Sequence, residues 1–230
     1  MILRVKFNKK NYLKYISHLD LMRLFQRSFN RANIPVKYSE GFNPQPKFSI
    51  AAPLSLGIES EEEYMDIDLE YMPLDDFIER MNQVLPKDVQ IILGRYIEKA
   101  ESLNSIIAWA DYEIKLNLEG NKAKEEIDEL INNWLNKDEI IITRTSKKKG
   151  KEVEKEVNIK PLIRKVKINH NDNNITITAL LRTGSNGNLN PIDFIQSLIK
   201  DCELNSDVDA IAVKRLALYG EKGDELYKPL

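Results

Sequence analysis

Residues 15–57 read YISHLDLMRLFQRSFNRANIPVKYSEGFNPQPKFSIAAPLSLG, and the fold follows from how this stretch divides into helix, strand and loop. Ser17 with Asp20 three positions on has the spacing of a capping box, in which a hydroxyl takes a free amide at a helix start. A helix is therefore expected over 17–32. Leu21, Leu24, Phe25, Ser28, Phe29 and Ala32 recur at three-and-four spacing and form one packing face, while Arg23, Arg27 and Arg31 recur every four residues on another. Pro35 stops the helix, and residues 36–39 read as a strand. Residues 41–47, Gly-Phe-Asn-Pro-Gln-Pro-Lys, read as a stiff loop, because two prolines lack amide donors and fix φ.

Outward from this stretch the pattern of elements repeats. The first copy is strand 2–7, helix 17–32, strand 36–39, strand 63–70, helix 73–84 and strand 89–96. After a linker at 100–105 come strand 111–118, helix 122–135, strand 139–143, strand 175–181 after a turn at 170–174, helix 191–201 and strand 210–218. The expected fold class is α+β, with two tandem ferredoxin-like (βαββαβ) domains over 1–100 and 106–220 and a tail at 221–230. Each domain is expected to carry an inserted loop after its second strand.

The 230 residues have a formal net charge of −2, but the charge is segregated. Residues 1–58 carry ten Lys/Arg against two acids, residues 59–100 four against twelve, and residues 144–170 ten against three. Two basic segments thus flank an acidic middle, which favours a polyanionic partner. No run of about 18 apolar residues is present to span a membrane. The first ten residues, MILRVKFNKK, lack the apolar core of a signal peptide, so a cytoplasmic location is expected. One cysteine, Cys202, excludes an internal disulfide and cannot by itself hold an iron–sulfur cluster or structural zinc. No metal or cofactor is expected.

The candidate nucleic-acid surface joins Arg23, Arg27, Arg31, Lys37 and Lys47 as phosphate contacts to Phe42 and Tyr38 as stacking platforms for unpaired bases. Lys147, Lys148 and Lys149 around Gly150 form a second basic tip, read either as an arm closing on a polyanion or as a solvated hairpin. Arg182, Gly184, Ser185, Asn186, Gly187 and Asn188 precede a helix start at Asn190-Pro191, a setting for an anion nest or for a purely structural turn. His18, at the start of the basic helix, is the catalytic candidate: a metal-free ribonuclease uses such an imidazole to deprotonate a 2′-hydroxyl. His170 has no evident partner, and Glu59, Glu61, Glu62 and Glu63 read as a solvated edge at an exposed strand, or as an acidic rim that keeps polyanions to one side.

The run Tyr15-Ile16-Ser17-His18-Leu19-Asp20, then Arg23, Arg27, Ala32, Pro35, Tyr38-Ser39-Glu40-Gly41-Phe42-Asn43-Pro44, Pro46-Lys47, Leu54, Gly57, Glu59-Ser60 and Glu63-Tyr64, resembles a radical-SAM-associated bacterial family of unknown function. In the second half the resemblance rests on residues 159–161, Arg182 and the 184–191 turn. Members are free-standing or form the C-terminal part of cobalamin-binding radical SAM enzymes. The resemblance implies a radical SAM enzyme as a partner in trans, because this chain lacks three clustered cysteines. Gene neighbourhoods in the family imply RNA. The expectation is an RNA-binding accessory protein in tRNA or rRNA modification or processing, not itself an enzyme. The alternatives are a protein adaptor for a radical SAM enzyme, and an endoribonuclease using His18.

Overall fold

The computed structural model describes residues 1–98, 101–119, 122–148, 151–171, 174–207 and 210–230. Among them the chain runs β1 (Ile2–Lys9), α1 (His18–Arg31), β2 (Phe48–Ile50), β3 (Glu59–Asp68), α2 (Leu74–Val84), β4 (Ile91–Ile97), α3 (Leu103–Ile106), β5 (Ile107–Asn117), α4 (Lys124–Leu135), β6 (Ile141–Lys148), β7 (Lys151–Asn158), β8 (Ile163–Asn171), β9 (Asn174–Arg182), α5 (Pro191–Asp201), β10 (Ala212–Lys222) and β11 (Glu225–Tyr227). The fold is mixed α+β with mostly antiparallel strands. Its packing separates two compact units, one of Met1–Ala110, Thr183–Ser185 and Lys214–Leu230, the other of Asp111–Arg182 and Asn186–Val213.

In the first unit β1 is central, antiparallel to β4 on one side and to β3 on the other, and β2 pairs antiparallel with β3. Alternation along β1 turns Leu3, Val5 and Phe7 to one face, where α1 and α2 cover them with Leu21, Phe25, Phe29, Phe77 and Met81. Phe7 meets Phe25 edge to face at 5.0 Å, and Phe29 meets Phe48 the same way at 5.2 Å. The fully buried rings Phe7, Phe25 and Phe29 each contribute roughly 1.5–3 kcal/mol by leaving water. Strand β10 also pairs directly with β3, in parallel, with Lys214 opposite Glu59 and Arg215 opposite Ser60.

Residues 36–39 do not form the second strand. Val36 and Tyr38 make isolated bridges to Leu69 and Pro46, and the strand is β2, Phe48–Ile50, through its ladder to Met65–Ile67. The inserted loop thus stands before the second strand of this unit, not after it. Residues 225–227, read as part of a tail, form β11 against β10.

In the second unit β9 pairs antiparallel with β8, and the hydrogen-bonded order is β5-β9-β8. Helices α4 and α5 supply the apolar layer, with Trp134 and Phe194 in edge contact at 5.8 Å. Strand 139–143 is also corrected: β6 begins at Ile141 and, among the described residues, pairs with β7 as a separate two-stranded sheet, so the insertion again precedes the strand that joins the larger sheet. Cys202 is buried at the end of α5, and burial pushes its thiol up to about 11.

Candidate functional site

Helix α1 starts as its cap spacing dictates. Ser17 Oγ accepts the Asp20 amide at 3.1 Å and donates to Asp20 Oδ2 at 2.7 Å. The Ser17 hydrogen bond, then Arg23, hold the Asp20 carboxyl below its ordinary value. Leu21, Phe25, Ser28 and Phe29 are buried and turn Arg23, Arg27 and Arg31 outward, all exposed. Arg23 spends one nitrogen on Asp20 at 3.0 Å.

The 37–47 loop folds back on this helix. Gln26 Nε2 donates to Gln45 Oε1 at 3.2 Å, Tyr38 Oη donates to Asn30 Oδ1 at 3.1 Å, and the Lys47 amide donates to the Lys37 carbonyl at 2.7 Å. Phe42, at the tip, is fully exposed, and Tyr38 and Lys47 are exposed too. Lys37, like Arg23, is paired on this basic surface: its ammonium sits 3.0 Å from Asp68, whose hydrogen bond raises the lysine pKa. The structure thus brings Arg23, Arg27, Arg31, Tyr38, Phe42 and Lys47 onto one helix and the loop tied to it.

His18 is half-buried in a cleft of about 10 Å³ that it shares with Lys9, Ser17, Leu21, Ile50, Pro53 and Glu63. Sequence reasoning missed this neighbourhood. Alternation from Leu3 and Phe7 carries Lys9 to the helix-side face of β1, where it is only 2% exposed. Burial lowers its pKa, with opposition from Glu63 and reinforcement from Arg215. Among the described residues the Lys9 ammonium has no ion pair within 4.0 Å. Glu63 is committed elsewhere: Arg215 Nε donates to its Oε1 at 2.8 Å, and Arg215 Nη2 reaches both oxygens and the Ala52 carbonyl. The one sequence signal for Lys9 was a charge at an inward strand position.

The acidic run is likewise not a solvated edge. Strand β3 lies between β1 and β10, Glu62 and Glu63 are buried, and Glu62 accepts from Tyr64 Oη at 2.9 Å and Lys228 at 2.7 Å. Glu61 pairs with Lys10 at 2.6 Å, and Glu59 lies 3.9 Å from Lys14. Among the described residues no three His, Cys, Asp or Glu side chains are grouped to hold a metal ion.

In the second unit Lys147 and Lys148 lie on β6 opposite Glu152 and Lys151, and Lys149 falls outside the described residues. His170 does have a partner, Asp128, at 2.7 Å from its Nε2. Asn190 caps α5 by accepting the Ile192 amide at 3.0 Å, and Arg144 donates to the Asn188 carbonyl at 3.1 Å and pairs with Asp193. Gly184 has φ +97° and would carry a Cβ 2.4 Å from the Ile107 carbonyl oxygen, and Gly187 has φ +133°. Close packing therefore accounts for both glycines in the 182–188 turn without an anion. Ser185, Asn186 and Asn188 are exposed, and Arg182 is half-buried.

No helix among the described residues is long and apolar enough to cross a membrane. No curated protein matches the chain. Among solved structures it is similar to a chain of a Cbf5-Nop10-Gar1 complex, with a TM-score of 0.50 and 8% identity over 94% of this chain. This chain spans 48% of that one, and the likeness is one of fold. An unknown protein from Galdieria sulphuraria also aligns, over 93% of this chain and 97% of that one, at 10% identity and a TM-score of 0.26. The family model described as "Uncharacterized protein conserved in bacteria (DUF2344)" matches residues 3–191, most of the chain, and the protein belongs to that bacterial family.

Proposed function

We propose that this protein binds single-stranded RNA through α1 and the loop tied to it, and that its two units are ferredoxin-like. The fold reading rests on strand order: β4-β1-β3-β2 in chain order βαββαβ in the first unit, and β5-β9-β8 in the second once the β6–β7 hairpin is set aside. The first is the 4-1-3-2 order of that fold, in which crossover helices cover one face, and the second is its 1-3-2 part.

The observation that carries the RNA reading is a fully exposed aromatic, Phe42, on a loop pinned through Gln45 and Tyr38 to the helix bearing Arg23, Arg27 and Arg31. An exposed phenyl ring loses water on stacking against a base, and neighbouring guanidinium groups take the phosphates. The pinned loop lowers the entropy lost on binding.

The test is binding of labelled single-stranded RNA to the wild type and to an Arg27→Glu/Arg31→Glu double variant at low and moderate salt. Tight, salt-sensitive binding that the variant loses is expected. Wild type that ignores RNA at low salt would overturn the reading and give this face to a protein partner, such as the radical SAM enzyme that the sequence resemblance implies.

A further inference from the structure

We propose that the cleft at the N-terminus of α1 is a second, separate site that takes one oxygen of a phosphate group, held by the Lys9 ammonium, the His18 ring and the open amides of the first helical turn. Three observations converge there. Lys9 is buried to 2% exposure, lines the cleft and has no ion pair within 4.0 Å among the described residues. The nearby acid that acts on this buried lysine, Glu63, is already held by Arg215, so a ligand oxygen that adds counter-charge is favoured beside it. The cleft also lies at the start of a fourteen-residue helix, where Ser17 has taken only the Asp20 amide, so His18 and Leu19 have no intrahelical acceptor for theirs. Finally, the carboxylate that lines the cleft, Glu63, is neutralised by Arg215, so it does not repel an incoming anion as a bare carboxylate would.

The size of the cleft sets what enters. About 10 Å³ is the room of one water molecule, enough for a single oxygen and far too little for a base or a sugar. A phosphate monoester thus presents one terminal oxygen to Lys9 while its ester side stays outside, past Ser17 and His18. Inorganic phosphate and the terminal phosphate of a nucleic-acid strand share this chemistry.

The experiment follows the His18 ring and the His18 and Leu19 amides by NMR in the intact protein while inorganic phosphate is added. It then uses a short oligoribonucleotide with and without a 5′-phosphate. Saturable shifts at these groups are expected with inorganic phosphate, and Lys9→Met is expected to weaken that binding by about tenfold or more. A preference for the 5′-phosphorylated strand over the 5′-hydroxyl strand would identify a strand end as the source, and equal behaviour would identify the free anion. The proposal is overturned if phosphate leaves the His18 and Leu19 signals unmoved, or moves them equally in Lys9→Met. Because inorganic phosphate is the probe, this result is independent of whether α1 and Phe42 bind RNA.

Discussion

Arg215 and Glu63, 152 residues apart in sequence, form a buried two-pronged ion pair in the first unit, their side chains only 1% and 3% exposed. A further bond from Arg215, to the Ala52 carbonyl at 2.8 Å, ties the pair to a residue at φ +44°, a backbone region that L-residues seldom occupy. The pair therefore fixes β10, β3 and the 50–54 segment that closes the Lys9 cleft. Removing one partner leaves a buried, uncompensated charge. Arg215→Met is expected to cost about 3–5 kcal/mol in urea unfolding, and Arg215→Met/Glu63→Leu to regain most of that loss. Equal stability of Arg215→Met and wild type would contradict this account.

Lys9 makes the opposite prediction. Burial disfavours its charge more than Glu63, itself held by Arg215, supports it, so Lys9→Met is expected to stabilise the fold by about 1–3 kcal/mol at neutral pH. The pH dependence has a definite sign. With the folded pKa lowered below the ordinary 10.5, the unfolded chain holds more protons between the two values, so wild-type stability rises with pH in that window. Chemical unfolding at pH 7 and at pH 10 reads both effects, and Lys9→Met should remove this component of the rise. A more stable variant that binds phosphate less well is the trade-off expected of a residue kept for binding.

The limits of sequence reading here are physical. Helix α1 was legible because its determinants are local: Ser17 caps it, Phe25 and Phe29 repeat on one face, and Pro35 forbids its continuation. Strand β2 was not, because Phe48–Ile50 is a strand only through its ladder to Met65–Ile67, whereas Val36 and Tyr38 have strand-like composition without a continuous partner. The exposed arginines were legible from four-residue spacing, but the pairing of Lys37 with Asp68 depends on tertiary contact across 31 positions. The Lys9, Glu63 and Arg215 neighbourhood was illegible for the same reason. Each residue alone reads as a surface charge, and only the registers of β1, β3 and β10 turn them to one covered face.

Glu62 supplies an acid-side test of the same unit. Burial by itself would raise its carboxyl, but Lys228, the Tyr64 hydroxyl and the Leu218 amide outweigh burial and hold it below the ordinary 4.5. A depressed carboxyl contributes its full stability above the unfolded value and loses it as pH falls through the folded one. Stability should therefore drop as the pH goes below about 4.5, as it does for carboxylates paired in the native state. Glu62→Gln, compared with wild type in urea at pH 7 and pH 3, should be less stable at pH 7 and show a smaller drop. An unchanged acid profile in the variant would place the acid sensitivity elsewhere.

The proposed RNA surface separates charge from stacking, and the two respond to salt differently. Each phosphate neutralised on a single strand contributes about −0.7 to the slope of log K against log salt, through release of condensed counterions. Arg27→Gln and Arg31→Gln are each expected to flatten that slope by about this amount, because both guanidinium groups are exposed and, among the described residues, neither forms an ion pair within 4.0 Å. Phe42→Ala carries no charge change. It should weaken binding by about 1–3 kcal/mol at every salt concentration and leave the slope as it was. Gln45→Ala removes the side-chain tie to Gln26 while leaving the ring in place, so it should reduce affinity less than Phe42→Ala by loosening the loop. A Phe42→Ala variant with a flattened slope, or arginine variants with an unchanged one, would mean that α1 and its loop do not contact the strand in this way.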